Sequence, residues 1–168
     1  MHAVTLELAT AQEAPLLAHL LELYVHDVSD VFTQVELGAD GRFGYAKLPL
    51  YFSEPERRFA FVLRHDGRVA GFVLATLGSP AAQEPDVYDV AEFFVLKRYR
   101  GARVGEAAAR ELWRRLPGKW TVRVAERNTG ALAFWRRTVT KFTRGAALER
   151  TVPGEPHTWR VFSFESGA

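Results

Sequence analysis

The chain has 168 residues, 48% apolar, 25% charged and 12% aromatic, the composition of one ordinary globular domain spanning residues 1–168. It has no cysteine, which excludes a disulfide framework, a thiolate zinc site and a cysteine nucleophile. No apolar run approaches the roughly 18 residues that span a bilayer. The opening MHAVTLELAT lacks the basic and apolar regions of a secretory signal, so a soluble, cytoplasmic protein is expected.

The net charge of +2 is the sum of two unlike parts. Residues 97–115, KRYRGARVGEAAARELWRR, carry seven basic side chains against Glu106 and Glu111, a local +5, and the remaining fifteen basic and eighteen acidic residues leave −3 elsewhere. A basic stretch in an otherwise acidic chain suggests a polyanionic ligand held at one place; its bland alternative is a solvated helix face. Nucleic acid is disfavoured, because the acidic remainder would repel a phosphate backbone.

Residues 4–9, VTLELA, alternate as a strand, and Thr10 with Glu13 forms a capping box that opens a helix through about Leu23. Residues 24–53 mix Tyr24, His26, Asp27, Asp30, Asp40 and Tyr45 with several glycines, and read as loop and short helix facing a substrate. Strands 58–65 and 68–77 flank Asp66-Gly67, a strong hairpin signal. The acidic loop 78–86 leads into 87–96, VYDVAEFFVL, apolar on both faces and so expected at the centre of a sheet. After a basic turn, Val104, Ala108, Leu112 and Leu116 mark a helix that Pro117-Gly118 ends. Residues 119–126 form a further strand, Asn128 is placed to cap a helix through about Val139, and 142–151 and 157–165 make a last strand pair around Pro153-Gly154-Glu155-Pro156.

The informative element is Arg100-Gly101-Ala102-Arg103-Val104-Gly105, between a buried strand and a helix. Unpaired N–H groups at a helix start bind phosphate oxygens, the glycines let the backbone come close, and the arginines add forked donors, so a diphosphate is the natural ligand. GxxxxGK[ST] and GxGxxG are both absent, and the histidines His2, His19, His65 and His157 have no metal-ligand spacing.

Three stretches together resemble the GNAT superfamily of acyl-CoA-dependent N-acyltransferases. FFVLKRYRGARVGEAAARELW resembles that family's coenzyme A loop, usually [RQ]-x-x-G-x-[GA] after the fourth strand. VRVAERNTGALAFWRR is similar to the fifth strand and following helix, and the early T-x-x-E helix fits the family's opening. The resemblance implies a single-domain α/β fold: a mixed, mostly antiparallel sheet of about six or seven strands, about four helices, and splayed fourth and fifth strands. It implies that Phe94, Val95 and Leu96 contact pantetheine, that Arg100 to Gly105 hold the pyrophosphate, and that Asn128 and Trp135 meet the cofactor arm from the other side. The cosubstrate is then acetyl-CoA, the acceptor a primary amine of a small molecule or peptide, and the protein a monomer or homodimer. The alternative is a non-catalytic acyl-CoA-binding module.

Two positions depart from the family pattern. Arg103 replaces the first glycine of the loop, and Trp135 stands where a tyrosine is usual, so the family's common proton donor to the leaving thiolate is missing. Acyl transfer also needs a base, for which Glu92 is the candidate. Alternation places it on one strand face with Tyr88, Val90, Phe94 and Leu96, where apolar surroundings would raise its pKa. Tyr24, Tyr45, Tyr88 or water can stand in as the acid, and His26, Asp27 and Asp30 form a candidate amine-binding surface. Trp113, Trp120, Trp135 and Trp159 are scattered over different elements, as packing residues are.

Overall fold

A computed structural model describes residues 3–167, which leaves His2 outside the described residues. The chain runs through β1 (Val4–Leu8), α1 (Ala14–Val28), α2 (Leu50–Ser53), β2 (Arg58–His65), β3 (Arg68–Leu77), β4 (Tyr88–Val95) and α3 (Val104–Arg115). It then continues through β5 (Gly118–Ala125), α4 (Thr129–Thr143), β6 (Leu148–Val152) and β7 (Trp159–Ser166). The seven strands form one sheet in the order β1-β2-β3-β4-β5-β7-β6, with β4 at its centre. Every neighbouring pair is antiparallel except β4 and β5, which are parallel.

Each face of the sheet carries its own apolar core. On one face α3 and α4 bury Val104, Ala108, Leu112, Trp113, Trp135 and Val139 against Val73, Val90, Val122 and Phe162. On the other, α1 and α2 bury Leu17, Leu20, Leu21 and Tyr51 against Val62, Phe72, Leu74 and Phe94. Alternate residues of the central strands therefore serve opposite cores, which is why the sequence of β4 reads apolar throughout.

Several boundaries differ from the sequence expectation. Helix α1 continues past Leu23 to Val28, because Leu17, Leu21 and Val25 keep one buried stripe at helical spacing through the polar run that follows. Helix α4 runs to Thr143 rather than Val139, and the strand expected from 142 starts at Leu148. Phe142 is the reason: as a helical residue its ring meets Trp113 at 4.8 Å and Phe164 at 6.2 Å. The helix stops at Arg144 and Gly145, both left-handed, where Gly145 N–H returns to the Thr140 carbonyl at 2.9 Å. The Asp66-Gly67 turn has φ of 50° and 75°, the double positive value that a tight hairpin needs.

Two irregularities shape the centre of the sheet. Leu74 pairs with Glu92 and Ala75 with Val90, so Ala91 is an extra residue in β4, a β-bulge. The bulge reverses the alternation. Tyr88 and Val90 belong to the α3/α4 face, whereas Glu92, Phe94 and Leu96 point to the α1/α2 face. The expectation that Glu92 shares a face with Tyr88 and Val90 is thus corrected, and Tyr88 instead stacks on Trp120 at 4.9 Å.

The second irregularity is that β4 and β5 pair only through Tyr88–Trp120, Asp89–Thr121 and Val90–Val122, then diverge although both strands continue. Below the divergence the strands are tied by Asp89, which is 0% exposed. Its Oδ1 accepts from Thr121 Oγ1 at 2.7 Å and Arg123 Nε at 3.0 Å, and its Oδ2 accepts from Arg123 Nη2 at 2.8 Å. Replacing one member of such a pair leaves a buried charge uncompensated. Asp89→Ala is expected to cost about 3–5 kcal/mol, read as a lower urea midpoint at unchanged slope.

Candidate active site

The bulge delivers Glu92 to two tyrosines from separate elements. Tyr24 on α1 donates its hydroxyl to Glu92 Oε2 at 2.5 Å, and Tyr45, between α1 and α2, donates to Oε1 at 2.9 Å. Tyr24 is fixed edge-on to Phe72 and Phe94, with centroids 5.7 and 5.9 Å away. Tyr45 is fixed through its neighbours, because Glu22 of α1 accepts from Phe43 N–H and Gly44 N–H, both at 2.8 Å. Desolvation raises the Glu92 pKa above the ordinary carboxylate value, although both tyrosine hydrogen bonds oppose the shift. Burial, then the charge of Glu92, pushes both tyrosines above the usual phenol value. The three groups thus form one hydrogen-bonded unit; Tyr88 lies on the opposite face.

A cleft of about 240 Å³ opens beside this unit, its polar lining including Tyr45, Tyr51 and Glu92 together with Lys47, Arg58 and Arg123. Tyr51 has its pKa raised to about 12, chiefly by burial. Sequence reasoning missed Asp89, Arg123, Lys47 and Arg58. An acid inside VYDVAEFFVL was the available signal for the first, since a charged residue in a central strand is costly without a partner.

The gap between β4 and β5 lies next to the basic turn. Leu96 N–H bonds to the Ala70 carbonyl at 2.8 Å, and strand alternation turns the N–H and C=O of Val95 to the other edge, where β5 has diverged. Arg100 Nε donates to that Val95 carbonyl at 2.8 Å, and Arg100 Nη2 to Asp27 Oδ2 at 2.6 Å. Lys97 Nζ lies 3.6 Å from the other Asp27 oxygen. Asp27 therefore ties the end of α1 to the basic turn, and it is not brought together with His26 and Asp30 as an amine-binding surface. Those two residues are exposed and do not line the cleft.

Helix α3 opens on this turn. The N–H groups of Val104, Gly105 and Glu106 occupy its first turn, where no intrahelical acceptor exists. Gly101 and Arg103 both have positive φ, 80° and 60°, and Ala102 between them is exposed. Val104 is buried, so its side chain belongs to the core and not to a ligand surface. At Gly105 a Cβ would lie 3.1 Å from Phe134 Cζ and 3.6 Å from Val95 Cγ2, so a side chain there would press on the Phe134 ring where α3 packs on α4. Asn128 caps α4, its Oδ1 accepting from Ala131 N–H at 3.1 Å. Trp135 is 7% exposed and packs edge-on against Phe93 and Phe134, each at 4.9 Å, as part of the core.

A sheet whose central parallel strands part beside a basic helix N-terminus, with a buried carboxylate next to the opening, defines the acyltransferase class that the sequence resembled. The chain belongs to the acetyltransferase (GNAT) family, whose family model matches residues 17–139. Among solved structures it is similar to an acetyltransferase from Thermus thermophilus, at 21% identity and TM-score 0.66, covering 98% of this chain and 99% of that one. It is also similar to the aminoglycoside acetyltransferase AAC(6')-Ib in complex with coenzyme A, at 16% identity and TM-score 0.68, covering 97% and 95%. A GNAT-family acetyltransferase from Bacillus cereus ATCC 10987 aligns over 98% and 97% at 12% identity and TM-score 0.62. A comparison with curated protein sequences gives no match.

Arg103 gives a separable test. Its left-handed backbone costs about 1 kcal/mol relative to glycine, while as the N-cap residue it brings a positive charge to the start of α3, near Glu106. Arg103→Gly is expected to raise thermal stability and to weaken coenzyme A binding several-fold, the two read by thermal unfolding and calorimetry.

Proposed function

We propose that the protein transfers an acetyl group from acetyl-CoA to a primary amine of a small molecule or peptide by direct attack in a ternary complex. One observation carries this reading: the β4–β5 gap, onto which the Val95 N–H faces while its carbonyl is taken by Arg100, opens next to the Glu92–Tyr24–Tyr45 unit. An extended pantetheine arm can take the place of the missing strand partner. Its pyrophosphate would then meet the first turn of α3 and Arg103. Arg100 is held by Val95 and Asp27, so its part there is to brace the turn.

In this reading the amine nitrogen bonds to the acyl carbon, the Val95 N–H steadies the oxyanion, and the carbon–sulfur bond breaks. Glu92 takes the proton that the amine loses, directly or through Tyr45. The thiolate takes a proton from one of the two tyrosines or from water. Burial and, after it, the charge of an ionised Glu92 make either tyrosine give up its proton only at high cost. Once Glu92 has been neutralised by the amine's proton, that cost falls. The two transfers are therefore coupled through one carboxylate.

A second reading, an acyl-CoA-binding module without transfer, draws on Trp135, which fills the core and carries no ionisable hydroxyl. An amine panel read by thiol release separates the two. Binding of coenzyme A that weakens in Arg103→Glu, with no thiol release from any acceptor, would establish the module.

The raised Glu92 pKa gives a signed expectation. The acid limb of kcat/KM lies above the ordinary carboxylate range, with activity lost as pH falls and Glu92 gains its proton. Glu92→Gln should lower the rate about 100-fold or more and abolish that limb; an unchanged pH profile would remove Glu92 as the base.

A further inference from the structure

The cleft beside Glu92 is lined by three acidic side chains, Glu54, Asp89 and Glu92, and four basic ones, Lys47, Arg57, Arg58 and Arg123. Two acids are already neutralised, Glu54 by Arg58 at 2.7 Å and Asp89 by Arg123 at 2.8 Å. Glu92 is held by neutral hydroxyls. Lys47 and Arg57 have no carboxylate within ion-pair distance among the described residues. Arg57 Nη2 donates to the carbonyls of Leu77 and Pro85, at 2.9 and 3.3 Å, which fixes the guanidinium without supplying a counter-charge. The cleft thus has one acidic group at Glu92 and two uncompensated cations elsewhere on its wall. Its volume of about 240 Å³ lies below that of drug-sized sites.

We propose that the acceptor is a small amino acid, its amino group directed to Glu92 and its carboxylate bound by Lys47 and Arg57. The proposal deepens the transferase reading and rests on it. A zwitterion matches the two signs of the cleft, whereas a polycation would meet like charge at Lys47 and Arg57. A chain that is net acidic outside residues 97–115 would attract a cationic amine if its carboxylates were free. Its nearest carboxylates are instead engaged with the protein's own cations, Asp27 with Arg100 and Glu54 with Arg58.

The test compares amino acids with their carboxamides and their decarboxylated amines as acceptors, at saturating acetyl-CoA, by thiol release. The wild-type protein is expected to prefer at least one amino acid over its amide by tenfold or more in kcat/KM. Lys47→Glu, at an exposed position without a partner, should collapse that ratio toward one, chiefly through KM; Arg57→Ala should do so in part. Amides or simple amines used as well as the acids, or a ratio unchanged in both variants, would overturn the proposal. If no acceptor is turned over, the transferase reading fails, and the anion subsite is decided by calorimetry on the coenzyme A-saturated protein. Amino acid binding that Lys47→Glu abolishes supports the subsite, and equal binding of acid and amide overturns it.

Discussion

One extra residue in β4 organises the site. Without Ala91 as a bulge, strict alternation would turn Glu92 toward the α3/α4 core, among Val90, Trp120 and Val122, far from Tyr24 and Tyr45. With it, the strand keeps Asp89 in register with Thr121 on β5 and sends Glu92 to the α1/α2 face. The bulge also lies where β4 and β5 stop pairing. The same irregularity that aims the carboxylate coincides with the opening of the gap, so the Val95 edge and Glu92 lie on adjacent stretches of one strand. The Asp89–Arg123 pair closes the bottom of the gap and reinforces the three residue pairs that still join the strands.

The element order, the central place of β4 and the helix start at Val104 were legible because each rests on local chemistry: apolar periodicity, an Asp-Gly turn, a Pro-Gly stop. The family resemblance rested on the same local stretches. What was not legible depends on one-residue register. A bulge is hard to place in VYDVAEFFVL, since most of its residues are apolar and suit either face of a sheet buried on both sides. Strict alternation singled out Glu92 and residue type the three tyrosines; the structure brings Tyr24 and Tyr45 to the carboxylate and leaves Tyr88 on the other face, a division that only the register decides. The end of α4 failed for a different reason. Gly145 was a visible stop signal, but Phe142 reads equally well as strand or helix until Trp113 is known to lie beneath it.

Charge told a similar story at longer range. Splitting +2 into a basic segment and an acidic remainder singled out residues 97–115, yet the two parts are not independent surfaces. Asp27 of the acidic part bonds Arg100 of the basic part, and Glu106 within the basic segment takes Lys141 at 2.5 Å from α4. Such pairs are worth little each at the surface, but they determine which charges stay available. After that pairing Arg103 remains at the helix start, and Lys47 and Arg57 remain in the cleft.

The burial of Trp135 bears on how the reaction is divided between the two faces. The resemblance implies a tyrosine at this position, whereas here the indole is packed against Phe93, Phe134 and Trp113. Both phenols bonded to Glu92 come from the α1/α2 side. If the proposed transfer occurs, both of its protons pass through one unit, and acid and base cannot be tuned separately. Moving the Glu92 pKa upward strengthens it as a base and, by leaving it neutral longer, eases donation from Tyr24 or Tyr45. A single desolvated carboxylate then serves both halves of the reaction, and the apolar setting that Phe72 and Phe94 give to Tyr24 is part of what sets its strength.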